Sequence, residues 1–471
     1  MTVRGGAARA SLRSVAFAGG LLLGAAAWAQ LLPALQRQAL AGDPTVAGAE
    51  AQVRAAEERL AQAQAALAPS VSLSLNQSDT RYTEAPAFDL RRFGGKQATF
   101  QVTQPLLHVA SVHGVRSAEA SAEQARAQLQ QVRADATVRL LEATFDLLKA
   151  RDALALTDAQ RLAAQEQLAA ARRSFTVGNA SVIDVREAEA KIDTVAAQAI
   201  AARADLELRQ QVLAELAGRE APELMDRGLT GERLPELQPA GVLPWIADAQ
   251  LHSPQLMASQ RALDAAQAEV QKAWQGHAPT ADLSYTYTKN SDTGTVTSLL
   301  PRRGESGQVA LAVNIPLFAG GATQARVRET MALRDKAQSD VDTVRRNLQL
   351  QLRQSFSAAL SAVGQAHGLE TATHSLEVAM QANRRGYEVG LKVNAEVLES
   401  QSRLFESRRD LSRARYDAWL NFLKLKAAAG RLADGDVEAL DLLLVPVAPA
   451  TLRGRVPERV PGAASAAGER R

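Results

Sequence analysis

The sequence predicts an α+β chain in which one unit of long helices and paired strands is written twice, and three observations carry that expectation. Landmarks recur at a nearly fixed offset: Pro44 with Pro254 and Pro69 with Pro279 at 210, Pro105 with Pro316 at 211, Gly178 with Gly390 and Gly218 with Gly430 at 212. Such a period is far longer than the roughly 20–50 residues of solenoid repeats, so each half is a substantial unit. Aromatic residues make up only 4% of the chain, while Ala, Leu, Gln, Arg and Glu fill long tracts, the usage of long helices and coiled coils. Twice, the apolar spacing switches from helical to a period of two, which marks strands.

Residues 1–29 read as a secretory signal. Arg4, Arg9 and Arg13 form a basic n-region, Val15 to Ala26 a short apolar stretch, and Ala27-Trp28-Ala29 a small-residue cleavage site. About a dozen apolar residues are too few to span a bilayer as a helix, and no later segment is apolar for long enough. Loss of the three arginines takes the formal net charge from +3 to zero, which argues against nucleic-acid binding by bulk charge. The chain has no cysteine, so once exported it relies on packing or oligomerisation, and it has no lipid-anchor site beside the cleavage point.

Leu31 to Leu67 reads as two helices broken at Asp43-Pro44. Val71, Leu73 and Leu75 then alternate with polar residues, as do Phe100 and Val102. Leu283, Tyr285 and Tyr287 repeat the pattern in the second half, and Val309, Leu311, Val313 and Ile315 complete it. Two strands per half result, joined by loops of about twenty residues, Gln77–Gln97 and Lys289–Gly307, longer than ordinary hairpin loops. Pro105 and Pro316 each end a strand where a helix begins, since proline cannot feed a ladder but suits a first helical turn. Gly320 and Gly321 allow a sharp swerve there, which the first half, reading Leu106-Leu107-His108, lacks. Long helices are expected from about Ser111 to Ser174 and from Ala322 to Arg385, each on the order of 95 Å long, with Gly364 a point of irregularity.

The helices returning after the Gly178 and Gly390 breaks carry a seven-residue seam. In the first it comprises Val185, Ala188, Ile192, Val195, Ala199, Ala202, Leu206, Leu213 and Leu216, with Arg209 the exception. In the second, Val397, Leu404, Leu411, Ala418 and Leu425 run beside a column of Ser400, Ser407, Ala414, Asn421 and Ala428. Strict sevens imply coiled-coil packing. The expected organisation is a signal at 1–29, a first repeat at 30–220, a linker at 221–241, a second repeat at 242–431, an equatorial segment at 432–445 and a disordered tail at 446–471.

Strand alternation alone fits a soluble hairpin equally well; export and long loops favour an outer-membrane barrel. Four strands cannot close without edges, and open edges are not tolerated in lipid. Eight strands from two chains or twelve from three both satisfy that requirement, and twelve leave the wider lumen.

Together, Val313-Asn-Ile-Pro316-Leu-Phe-Ala-Gly-Gly321 after a strand and Tyr387-Glu-Val-Gly390 before Glu396-Val-Leu-Glu399 resemble the TolC family of outer-membrane channel proteins. The resemblance runs from about Leu31 to Leu444, including Ala221-Pro-Glu-Leu224 and Leu440-Asp-Leu-Leu-Leu444 after the two helical halves. It implies a homotrimer with a twelve-stranded β-barrel in outer-membrane lipid, four strands per chain, continuous with a long periplasmic α-helical barrel. Members dock through a periplasmic adaptor (membrane fusion) protein on an inner-membrane ABC transporter or other pump. Lacking a lipidation cysteine, the chain is similar to the type I secretion branch of haemolysin or cyclolysin export, with a protein toxin as exported substrate; multidrug efflux is the alternative. The resemblance also implies a periplasmic gate of Asp184, Tyr387 and Lys392 and an acidic entrance ring of Glu396 and Glu399, which share a helix face. Ile183, where the family has a polar residue, departs from that pattern.

Other chemistry is poorly supported. His367 and His374 share a helical face but have no third ligand at helical spacing, and His108 and His113 fare no better. There is no phosphate loop, nucleophile elbow or zinc-protease motif, so the expectation is a non-enzyme without cofactor or metal. A periplasmic coiled-coil adaptor or scaffold with a hairpin domain would fractionate as soluble and would not conduct ions, and an exported enzyme with helical inserts has no candidate active site.

Overall fold

The computed structural model describes residues 31–82, 91–178, 180–229, 233–293 and 300–446. The signal expected at 1–29, and the tail beyond Pro446, lie outside the described residues. In chain order the elements are α1 (Leu31–Gly42), α2 (Pro44–Ala65), β1 (Ser70–Tyr82), β2 (Arg91–Leu107), α3 (Val109–Thr176), α4 (Val182–Ala217) and β3 (Arg227–Leu229). The second half continues with α5 (Val242–His252), α6 (Pro254–Trp274), β4 (Thr280–Asp292), β5 (Arg302–Asn314), α7 (Ala322–Glu388), α8 (Asn394–Ala428), α9 (Asp434–Leu443) and β6 (Leu444–Pro446). They form two compact units. One takes the chain up to Val46 with Arg133–His252 and Gln349 onward; the other takes Ala47–Val132 and Ser253–Leu348. Each unit therefore draws on both halves of the duplication.

In the second of these units, β1, β2, β4 and β5 form one sheet in that order, every neighbouring pair antiparallel, with β1 and β5 at its edges. The register aligns Val71, Val102, Tyr285 and Val309 across all four strands. Because side chains alternate between faces, one face collects Val71, Leu73, Leu75, Phe100, Tyr287, Leu311 and Val313, and the other Ser72, Ser74, Thr99, Gln101, Thr286 and Gln308. Leu75 is 73% and Leu311 62% exposed, so no part of the described chain covers the apolar face. Along β4 that band runs from Ala281 to Tyr287, about 20 Å at ~3.4 Å per residue.

The strands run further than alternation of apolar residues suggests. The expected loops of about twenty residues are overtaken at both ends by strand, because Gln77 to Tyr82, Arg91 to Gln97, Lys289 to Asp292 and Arg302 to Gly307 pair despite being largely polar. Backbone pairing continues where the side-chain code stops. Pro105 does not end its strand either: β2 continues to Leu107 through a register shift between Pro105 and Leu107, a bulge that accommodates the missing donor. Pro316 stands two residues beyond the end of β5. Gly320 and Gly321 then take φ of 61° and 83°, a left-handed region that favours glycine, and α7 begins at once. Nothing interrupts α7 at Gly364, where an irregularity was expected.

Below the sheet, in the same unit, helix ion pairs bind α2 to α3 (Arg126 to Glu57, 2.7 Å) and α6 to α3 (Arg261 to Glu123, 2.8 Å). Val53, Ala56, Ala122 and Ala125 pack a narrow core between α2 and α3.

The other unit holds the larger core. Leu140, Leu141, Phe145, Leu147 and Leu148 of α3 pack with Leu206 and Leu213 of α4, Leu32 and Leu35 of α1, Leu420 and Leu423 of α8 and Leu440 of α9. Seam residues Ala188, Val195, Ala199, Leu206 and Leu213 are buried, as are Val397, Ser400, Leu404, Ser407, Ala414, Ala418 and Leu425. Their partners are antiparallel. Arg408 meets Glu377 and Arg415 meets Glu370, both at 2.7 Å; seven residues forward on α8 answers seven back on α7, as a heptad pairing requires. Arg209, the polar exception in the α4 seam, reaches Asp146 of α3 at 3.3 Å. The two segments after the helical halves meet as β3 and β6, a short antiparallel pair with Gly228 opposite Val445.

At the start of α2, the Asp43 carboxylate accepts from the Thr45 hydroxyl (2.6 Å), the Thr45 amide (2.7 Å) and Arg139 (2.6 Å). Chiefly the Thr45 hydroxyl, then its amide and Arg139, hold the carboxyl down to about 2 against the opposing effect of burial. A carboxyl depressed in the fold stabilises it above the unfolded value of about 4, and that contribution is lost as pH falls through about 2. Urea midpoints of the parent and Asp43→Asn are expected to differ most above pH 4 and to converge towards pH 2. A gap that stays constant over that window would assign the effect to packing.

Candidate functional site at the helix turns

Two turns, α3 to α4 and α7 to α8, repeat one geometry. Gly178 has φ 80° and Gly390 φ 78°. The Gly178 amide donates to Phe175 and the Gly390 amide to Tyr387, both at 3.0 Å. Only glycine takes that backbone cheaply, so the duplicated glycine fixes both helix ends. In the second turn the Leu391 amide also donates to the Gly386 carbonyl (2.8 Å). The Lys392 side chain lies over Gly386, where an added Cβ would sit 2.8 Å from Lys392 Cγ.

The predicted gate residues do not meet within the chain. Asp184 closes a capping box at the start of α4: its carboxylate accepts from the Ser181 amide at 2.8 Å while the Ser181 hydroxyl accepts from the Ile183 amide at 3.1 Å. Such a cap is worth about 1 kcal/mol. Lys392 instead pairs with Glu396, one helical turn away. Tyr387 is half-buried. Among the described residues no hydrogen bond joins Tyr387 or Lys392 to the Asp184 side chain. Both acidic-ring residues are paired locally, Glu396 with Lys392 and Glu399 with Arg403 (2.7 Å), and Glu399 is 63% exposed. Exposed pairs of this kind contribute about 0.3–0.5 kcal/mol.

What joins the two turns is Asn394, which the sequence did not single out. It opens α8 fully buried; its Nδ2 donates to the Asp184 carbonyl at 3.2 Å and its Oδ1 accepts from Gln167 of α3. One amide thus bridges α3, α4 and α8. Neither seven-residue column contains position 394, so periodicity could not find it. Val393, the residue before α8, offers no side-chain cap, which leaves the tie to the next residue. Around the turns Val177, Ile183, Val389, Leu391 and Val393 are all exposed, Leu391 by 81%.

A sheet with an uncovered apolar face and a polar one, continued by long helix hairpins that turn on paired glycines, defines a channel-type outer-membrane protein. The family profile described as outer membrane efflux protein matches residues 35–219 and 245–431, one match per half. The chain belongs to that family. It is 28% identical over 426 residues to the outer membrane protein TolC of Vibrio cholerae, covering 88% of this chain and 94% of that one. It is 30% identical over 440 residues to the alkaline protease secretion protein AprF of Pseudomonas aeruginosa, covering 91% and 88%. Among solved structures the Campylobacter jejuni CmeC outer membrane channel superposes with a TM-score of 0.73 at 16% identity, over 85% of this chain and 86% of that one, which shows the shared fold. The protein is accordingly a transport channel of the bacterial outer membrane that extends into the periplasm.

Asn394→Ala removes the bridge while leaving both glycine turns intact. Each lost buried hydrogen bond costs about 1 kcal/mol, so amide exchange in the first turn of α4 is expected to rise about fivefold or more. Unchanged exchange there would show that the Asn394 amide does not hold the turns together.

Proposed function

We propose that three copies of the chain close a twelve-stranded β-barrel and serve as the outer-membrane exit duct of a tripartite export system. The observation that carries the reading is the open sheet. β1 and β5 are unpaired edges in the described chain, and alternation along the sheet makes them antiparallel to one another. The β5 of one copy can therefore pair with the β1 of the next at the polarity every other pair uses. Edges in lipid demand such pairing, and the apolar band meets the requirement of an outward face. Three copies, rather than two, leave a lumen lined by Ser, Thr, Asn and Gln.

The helical hairpins continue the duct into the periplasm, where a membrane fusion adaptor and an inner-membrane transporter complete it. Exposed Val177, Ile183, Val389, Leu391 and Val393 support adaptor docking at the turns, since apolar clusters of this sort mark contact surfaces. Protein export by the type I route is the favoured cargo reading; AprF, 30% identical, is named for alkaline protease secretion.

In the trimer, Asp184 faces Tyr387 and Lys392 across neighbouring helix pairs and forms the resting gate. Lys392 must exchange Glu396 for Asp184, a swap between exposed pairs worth well under about 1 kcal/mol each. Three weak copies hold the entrance closed yet yield to a docked adaptor. Glu396 and Glu399 ring the entrance and attract cations, although Lys392 and Arg403 neutralise much of their charge.

Cross-linking of the detergent-purified protein is expected to stop at a trimer that conducts in planar bilayers; a monomer with full pore activity would sink the barrel reading. In the same bilayers, Glu396→Ala with Glu399→Ala should abolish block by multivalent cations. Block equal to the parent's would remove both residues from the pore entrance.

A further inference from the structure

Beyond the apolar band, the same face of the sheet turns basic. Cross-strand partners share a face. The register sets Arg81 opposite Arg92, Asp79 opposite Gly94, Lys96 opposite Gln77 and Ser291, Arg303 opposite Ser291, and Lys289 opposite Glu305. All lie on the face that carries Leu73, Leu75, Phe100 and Leu311. The two carboxylates there are taken, Asp79 by Arg92 and Glu305 by Lys289 at 2.6 Å. Arg81, Lys96 and Arg303 remain. All three are exposed, and among the described residues none has a carboxylate within ion-pair distance.

Two features ask for an anion over this surface. Arg81 stands directly opposite Arg92, and these two like charges share the one Asp79 carboxylate, which Arg92 holds, so one positive charge is left in excess. Lys96 and Arg303 flank Ser291 at one level, two strand spacings or about 10 Å apart. The opposite face at neighbouring levels carries the uncharged Ser78, Gln97 and Asn290, and its Arg302 stands directly opposite Asp292, so charge there balances. The excess of cations thus lies on the side away from the lumen. They are also sorted to one end: helices join β1, β2, β4 and β5 at the other end of the sheet, which in an outer-membrane protein extending into the periplasm is the inner one.

We propose that Arg81, Lys96 and Arg303, with Arg92 beside them, form a belt that binds the phosphate groups of a phosphorylated glycolipid in the outer leaflet. The belt rests on the barrel reading above. Charge-assisted bonds from guanidinium and ammonium to phosphate fit the chemistry, and the apolar band directly beneath receives the acyl chains.

The test uses the full-length protein in detergent, with diphosphorylated lipid A, dephosphorylated lipid A and phosphatidylglycerol as probes. Native mass spectrometry is expected to show the diphosphorylated form bound at least about tenfold more tightly than the other two. The triple variant Arg81→Gln, Lys96→Gln, Arg303→Gln should lose about tenfold or more of that affinity, while Arg302→Gln, on the opposite face, keeps it. Undiminished binding by the triple variant, an equal loss in Arg302→Gln, or equal binding of either other lipid would overturn the belt. Conductance separates the two readings. The triple variant should still form pores like the parent, whereas a parent that forms none overturns the barrel on which the belt rests.

Discussion

A sheet in lipid has nowhere to leave an edge. β1 and β5, 13 residues each, present rows of backbone donors and acceptors with no partner in the described chain, and hydrocarbon offers no water to replace one. Much of the architecture answers that constraint. Each half contributes one antiparallel strand pair, so all four open strand ends point the same way and every helix leaves from one end of the sheet. The two junctions then solve the same turn differently. The second half swerves on left-handed Gly320 and Gly321, and the first absorbs the bend in a bulge at Pro105, with His108 lying 3.0 Å from Asp282 of β4.

Duplication explains the likeness of the two helix turns and also why they are not interchangeable. Gly178 and Gly390 carry the same φ and the same closing hydrogen bond. Past each glycine the two turns have diverged: Ser181 and Asp184 cap α4 with side chains, whereas α8 starts after Val393 with no side-chain cap. Asn394 compensates by reaching into the other turn. The asymmetry makes α4's first turn depend on α8 and not only on its own cap, so the two hairpins are coupled at their ends.

Much of this was legible in the sequence. The repeat, the helix pair, the glycine breaks and the seam residues from Ala188 to Leu425 emerge from spacing, because a heptad or an alternation leaves its mark in the order of apolar residues. Strand ends did not, since Gln77 to Tyr82 and Arg302 to Gly307 pair through backbone groups that every residue possesses. The short β3 and β6 escaped for the opposite reason: three residues are too few to show a period. At the turns, the glycines could be found by their offset. The partners of Asp184 could not, because a capping box competes for the same carboxylate that a gate contact would use. Ser181-Val-Ile-Asp184 does spell that box, a local signal stronger than the long-range one.

Strength of interaction is unevenly distributed within the helical unit, and the distribution has a consequence. Near its core, Asp441 is fully buried and accepts from Arg227 (3.0 Å) and from the Leu31 and Leu32 amides (3.1 and 3.3 Å), tying β3, α1 and α9 together. Beside it Arg151 donates to the Met225 and Arg227 carbonyls and pairs with Asp152, which accepts from the Tyr416 hydroxyl at 2.9 Å. Burial, and then the Asp152 charge, push that hydroxyl above its ordinary value. Breaking a buried pair of this kind costs about 3–5 kcal/mol, because the orphaned charge stays out of water. Among the described residues, the ion pairs at the α7–α8 turn, Arg384 with Glu388, Lys392 with Glu396 and Arg403 with Glu399, are exposed and worth a small fraction of that. A perturbation applied to the unit is therefore relieved at the turns long before the core yields. Helices α3 and α8, joined near the core by Asp152 and Tyr416, can move at their glycine ends as levers about that base, and among the described residues the buried polar contact resisting them there is the Asn394 amide.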